Sequence, residues 1–302
     1  MMIEAKRTPE DRFSAIPDFD FPVCYVDDLP GYEGLRSAYI DAGPADADRV
    51  FLCQHGEPSW SFLYRRMIPV FLETGARVIC PDFLGFGRSD KPVNQADYSF
   101  DFHRNWLIAL VERLDLKNIT LVVQDWGGLI GLTLPVAPGM ADRIARLIVM
   151  NTGIGTGASP GPGFMMWKAY AASTPDLPIG ALIARGTPHL TAAEIAAYDA
   201  PYPDASYKAG AQIFPSLVPI EPDMAGAAIG RAAAEFWSQR WAGPSFMAVG
   251  AADPVLGPTQ MEALRKQIRG CPPPMMIEDG GHFVQEWGEP IARAAIAAFG
   301  GR

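Results

Sequence analysis

Leu121-Val122-Val123-Gln124-Asp125-Trp126-Gly127-Gly128 is the stretch whose reading decides the fold of this chain. β-Formers run from Ile119 and stop at the polar pair Gln124-Asp125, and two glycines then precede a helical segment from Leu129 to Leu134. Strand, sharp turn and helix with one acidic side chain at the turn is the pattern of a nucleophile elbow. In such a turn small neighbours let a strained residue project its side chain above a sheet. The best-known elbow carries serine between glycines; here Asp125 holds the nucleophile place and Val123 the upstream small position. A carboxylate needs no base before it attacks, and it suits displacement at a saturated carbon better than acyl transfer. By itself the octet also fits a plain turn or helix cap, a common use of Asp before glycine.

Around the elbow, short apolar runs alternate with helical patterns. Arg49 to Gln54, Ala76 to Cys80 and Arg146 to Met150 read as strands buried on both faces, and Phe21 to Asp27 and Leu35 to Asp41 as early antiparallel strands. Helical spacing is predicted over Trp60 to Leu72 and His103 to Leu114. This alternation predicts an α/β fold with a mostly parallel central sheet flanked by helices. At Asn151 the character changes: residues 152–163 are rich in Gly, Thr, Ser and Pro, and 164–222 are helical, aromatic and broken by prolines. The expected organisation is a core of residues 1–151 and 223–302 with an inserted helical cap over 152–222. The core resumes with a helix near 225–240, a strand Ser245 to Val249, a helix Pro258 to Ile268, a strand Met275 to Ile277 and a last helix Pro290 to Phe299.

Composition bounds the function. The 302 residues are 49% hydrophobic and 20% charged, enough apolar surface for a sizeable core. A net charge of −9 without any Lys/Arg block argues against a nucleic-acid partner. No stretch approaches the roughly 20 apolar residues of a bilayer span, and Met1 to Phe13 lacks the apolar centre of a signal peptide. The expectation is a cytoplasmic protein with no membrane partner. Cys24, Cys53, Cys80 and Cys271 are widely spaced; they read as free thiols, not as a disulfide framework or zinc site, and no metal or cofactor is expected. Gly85-Phe86-Gly87 lacks the third glycine of a nucleotide loop and meets an acidic Asp90, so a phosphate there is disfavoured.

Asp125, Asp253 and His282 each follow a predicted parallel strand, and the carboxyl ends of such strands line the ligand crevice of an open α/β sheet. The order nucleophile, acid, histidine is that of the α/β-hydrolase triad. Asp279 is the other nearby carboxylate, but it stands too close to His282 along the chain to face its ring. His55, His103 and His189 are read as structural.

From about Phe51 to Gly300 the sequence resembles the haloalkane dehalogenases of the α/β-hydrolase fold. The resemblance is carried by His55-Gly56-Glu57-Pro58-Ser59-Trp60, Pro81-Asp82-Phe83-Leu84-Gly85-Phe86-Gly87-Arg88-Ser89-Asp90, Val123-Gln124-Asp125-Trp126-Gly127-Gly128 and Gly280-Gly281-His282-Phe283. Phe164-Met165-Met166-Trp167-Lys168 looks like the branch whose prototype hydrolyses very small chloroalkanes. The resemblance implies that Asp125 displaces halide to form an alkyl ester. It implies that His282 activates the water that hydrolyses the ester, and that Asp253 orients the histidine. The backbone N–H groups of Glu57 and Trp126 would form the oxyanion hole, and the indoles of Trp126 and Trp167 would bind the halide. Phe164, Phe214, Pro215, Val255 and Leu256 would line a pocket for a small apolar halogenated substrate. The expected assembly is a monomer. Two alternatives stay open: an epoxide hydrolase, which would use cap tyrosines among Tyr170, Tyr198, Tyr202 and Tyr207, and a non-catalytic ligand-binding protein on this fold.

Overall fold

A computed structural model describes residues 3–300. Eight strands form one sheet: β1 (Val23–Val26), β2 (Ser37–Ala42), β3 (Val50–Gln54), β4 (Arg77–Pro81), β5 (Ile119–Gln124), β6 (Ile144–Met150), β7 (Ser245–Gly250) and β8 (Met275–Ile277). Their order is β8-β7-β6-β5-β3-β4-β2-β1. All neighbours from β8 to β4 run parallel, and only β2 and β1 are antiparallel, as the alternation of the first segments predicts. Every residue of β3, β5 and β7 is buried. That burial is why these strands read as continuous apolar runs, since helices must cover both faces of a parallel sheet.

The register positions the site. Gln54 pairs with Val123, Gln124 with Met150, and Gly250 with Ile277, so the carboxyl ends of β3, β5, β6, β7 and β8 finish along one edge. The chain goes from β3 outward to β4 and then back across to β5, so the strand order reverses between β3 and β5. A reversal of this kind opens a crevice between the loops leaving the two strands. Those loops carry Glu57 and Asp125.

The predicted helix over 60–72 is not continuous. A 3-10 turn at Ser61–Tyr64 is followed by a short helix at Ile68–Leu72. Pro69 has no N–H to join a preceding helical turn, so it starts a helix instead of continuing one, and the Ser61 N–H is taken by Asp82 Oδ1 at 2.7 Å. The helix predicted from His103 begins earlier, at Phe100, where the Ser99 side chain caps the Phe102 N–H. Between β6 and β7 lie the helices Pro162–Ser173, Ile179–Arg185, Ala192–Asp199 and Ala209–Leu217, none of which belongs to the sheet. Cys53, Cys80 and Cys271 are buried and Cys24 is half-buried; all four are free thiols. Among the described residues no helix is long and apolar enough to cross a membrane, and no cluster of His, Cys, Asp or Glu has the makings of a metal site.

Candidate active site

Asp125 ends β5 with φ 50° and ψ −127°, a conformation that non-glycine residues rarely hold. The turn is tight enough that only glycine fits two residues later: a Cβ on Gly127 would lie 1.9 Å from the Gln54 carbonyl oxygen. The strained backbone aims the carboxylate into the crevice instead of capping the helix that follows, and no capping bond from Asp125 is present. One carboxylate oxygen accepts the Glu57 N–H at 2.8 Å, and the other faces His282 Nε2 at 3.3 Å. The far ring nitrogen, Nδ1, donates to Asp253 Oδ2 at 2.8 Å. Asp125, His282 and Asp253, spread over 129 sequence positions, therefore form one hydrogen-bonded row.

Asp253 is buried and receives two further hydrogen bonds, from Val255 N–H at 2.8 Å and from Asn151 Nδ2 at 2.9 Å. Burial alone would push its carboxyl up; the facing His282 and these donors outweigh burial and bring it down to about 2. For His282 burial again opposes the charge, and Asp253 and Asp125 together hold the imidazole well above its ordinary value. Asn151 was not foreseen as a participant. Sequence marks it only as an uncharged residue at a strand end, yet it also accepts the Gly250 N–H at 2.8 Å and so ties the ends of β6 and β7 around the acid. Asp279 is exposed and takes no part.

Glu57 is buried beside Asp125, with one carboxyl oxygen that has no hydrogen-bond partner. Burial and the Asp125 charge push this carboxyl well above the usual range, against smaller opposing effects of His282 and the Trp167 N–H. It stands next to the row as a neutral acid.

A cavity of about 750 Å³ opens over these groups. Asp125, Trp126, Glu57, Asp253 and His282 all line it, and so do Trp167, Phe164, Pro215, Val255 and Leu256. Phe214 does not. It is fully buried behind the wall, 4.6 Å between ring centroids from Trp126 and the same from His103. Adjacent helical residues point about 100° apart, so the turn that gives Pro215 to the cavity gives Phe214 to the core beneath. Leu129, Val218 and Leu182 line the cavity without a sequence signal that separates them from ordinary core residues. Trp60, Trp106, Trp237 and Trp241 each donate their indole N–H to a protein oxygen. For the Trp126 indole, buried at 2% exposure, no protein acceptor is found among the described residues. A donor-only group left free at an apolar cavity wall suits an anion.

The histidines read as structural are tied to backbone: His55 to Gly56 O and the Phe83 N–H, His103 to Ser99 O and Leu84 O, His189 to Glu286 O. None of Tyr170, Tyr198, Tyr202 and Tyr207 is among the cavity-lining residues. Tyr198 donates to Glu286 and Tyr202 to Pro58 O.

Known proteins match this description. A family model for the alpha/beta hydrolase fold covers residues 49–289. The haloalkane dehalogenase of Psychrobacter cryohalolentis is 45% identical over 299 residues, 96% of each chain. That of Mycobacterium marinum is 43% identical over 292 residues, 94% of this chain and 95% of the other. Among solved structures, the haloalkane dehalogenase of Paraglaciecola agarilytica NO2 superposes with a TM-score of 0.95 at 51% identity, covering 98% of both chains. That relative is tetrameric, which does not fit the expectation of a monomer. The elbow, the hydrogen-bonded row and these full-length likenesses agree, and the chain belongs to the haloalkane dehalogenases of the α/β-hydrolase fold.

Proposed function

We propose that this protein hydrolyses the carbon–halogen bond of small haloalkanes to an alcohol and a halide ion. The observation that carries the reading is the row in which His282 lies between Asp253 at 2.8 Å and Asp125 at 3.3 Å. In the first step an Asp125 oxygen attacks the carbon that bears the halogen; a C–O bond forms, the carbon–halogen bond breaks, and halide leaves with the electron pair. The free Trp126 indole and the Trp167 indole then face the departing ion. Alkylation turns Asp125 into a neutral ester and so removes one of the two carboxylates that keep His282 protonated. The imidazole pKa falls at the moment a base is needed. His282 then takes a proton from water, whose oxygen attacks the ester carbonyl. The N–H groups of Glu57 and Trp126 would receive the developing oxyanion, Asp253 would hold the charged imidazole, and the alcohol leaves as Asp125 is restored.

Two organisational readings accompany this. Residues 152–222 act as a cap that carries Trp167 and Phe164 over a core of 1–151 and 223–302. The chain assembles as the Paraglaciecola relative does, and light scattering of the purified protein checks this: a single monomeric species would overturn it. The lining residues favour halide chemistry over epoxide opening, because an alkoxide leaving group needs a proton and no cap tyrosine lines the cavity. The test is direct. Purified protein should release bromide and alcohol from a small bromoalkane and form no diol from styrene oxide; diol without bromide would replace the proposal with the epoxide reading.

A further inference from the structure

The cavity is longer than a small haloalkane requires. Its lining continues from Val255 and Leu256, beside the acid Asp253, along one face of the helix Pro258–Gln267 through Thr259, Gln260, Ala263, Leu264 and Gln267. At 1.5 Å per residue, Thr259 to Gln267 spans about 12 Å. The facing wall comes from the segment leading into the cap, where Thr156, Ser159 and Pro160 line the same space. Gln260 Nε2 reaches across to the Pro160 carbonyl at 3.3 Å, and the lining continues past that bridge to Leu264 and Gln267.

The two ends differ in chemistry. Near Asp125 the walls are Trp126, Leu129, Phe164, Trp167 and Pro215, apart from the reacting groups themselves. Along the outer part they are hydroxyls and amides with small apolar surfaces between them, and no charged side chain. Cavity and groove together describe a rod: a halogen at the buried apolar end, and a tail that runs out beside the helix 258–267.

We infer, resting on the dehalogenase reading above, that the site takes primary haloalkanes with long unbranched tails ending in an uncharged hydrogen-bonding group, and that Ala263 sets the accepted length. An extended chain advances about 1.2 Å per bond, so the groove along the helix holds about ten bonds. Ala263 lies midway along it and has no side chain beyond Cβ. The small bromoalkanes of the basic reaction occupy only the inner end.

The experiment is a chain-length series from bromoethane to bromodecane, with a terminal bromo-alcohol and a terminal bromo-carboxylate of eight carbons. Bromide release should give kcat/KM rising by roughly twofold to fourfold per methylene until the groove is filled, because each added group leaves water for a partly open apolar wall. The bromo-alcohol should equal or exceed bromooctane, and the bromo-carboxylate should fall below both. Ala263→Phe should lower the ratio of kcat/KM for bromooctane to that for bromopropane by about tenfold. Lys266→Phe, which adds the same ring to the helix away from the groove, should leave that ratio unchanged. A flat or falling series, or equal ratios in the two variants, would overturn the inference while leaving the dehalogenase intact. No bromide from any substrate would instead overturn the underlying reading.

Discussion

On the sheet side of the cavity each functional group is held by several backbone and side-chain bonds, whereas its helical roof is held at a few points. Asp253 has three hydrogen-bond donors, Asp125 has a backbone amide and a histidine, and the Gln124 side chain donates to the His282 carbonyl at 3.1 Å. Opposite them, Trp167 sits half-buried on the helix Pro162–Ser173, whose outer face exposes Met166 at 69%. That helix is seated closely at its start: a Cβ on Gly163 would lie 2.3 Å from the Pro254 carbonyl oxygen. The cap is also uneven within itself. Its helix Ala192–Asp199 is clamped to the core by buried charges, since Glu194 and Glu286 share Arg65 and Arg66 at 2.6 to 3.0 Å. Glu286 belongs to the loop that follows His282, so this clamp joins the cap to the histidine's own segment. The contrast teaches that groups which change charge during a reaction are fixed rigidly. Groups that only receive a substrate or an ion can sit on a looser element.

The comparison breaks first at His282. His282→Phe should lower turnover by about 10⁴-fold or more while alkylation proceeds, because the histidine acts only after the ester forms. Intact-mass spectrometry should then find a stable adduct on Asp125; an adduct elsewhere would mean the sheet-side row is not the reactive one. In wild-type protein the same logic has a pH sign. Hydrolysis needs neutral His282, so lowering the pH through its value in the ester should slow hydrolysis and accumulate adduct; an adduct level that does not rise on acidification counts against His282 as the base.

Next comes Asp253→Asn, which should slow ester hydrolysis about 10³ to 10⁴-fold with alkylation largely kept, since the imidazolium loses its counter-charge. Single-turnover kinetics separates the two steps, and unimpaired hydrolysis would remove Asp253 from the row. Arg65→Met tests the clamp. It leaves Glu194 and Glu286 short of a buried partner, and the expected loss is about 3–5 kcal/mol of unfolding free energy by denaturant titration. A loss under about 1 kcal/mol would show that Arg66 alone suffices and that the cap is not differentially held. The smallest effect is expected on the looser wall. Trp167→Phe removes one donor to a desolvated ion, and bromide affinity by tryptophan fluorescence should weaken by roughly 1.5–3 kcal/mol. Unchanged affinity would assign Trp167 to packing.

Much of this was legible in the sequence because it rests on short-range rules. The strand ending at Gln124, the Asp125 elbow and the glycines after it follow from steric limits on a few consecutive residues. The buried strands follow from apolar runs that only a two-sided sheet can hide. Asp253 and His282 were legible as residues after strands, in an order that fits one known arrangement. The break in the predicted helix at 60–72 was signalled by Pro69 and could have been read locally. What tertiary structure alone decided is which side chains face one another across long sequence distances. That Asn151 donates to Asp253, that Glu57 is a buried acid with an orphan oxygen, and that Phe214 supports Trp126 from behind all depend on register and helix rotation. So does the groove along Thr259 to Gln267, whose walls come from two segments a hundred residues apart. Spacing specifies the face a residue takes on its own element, but the partner of that face is set by how the elements pack.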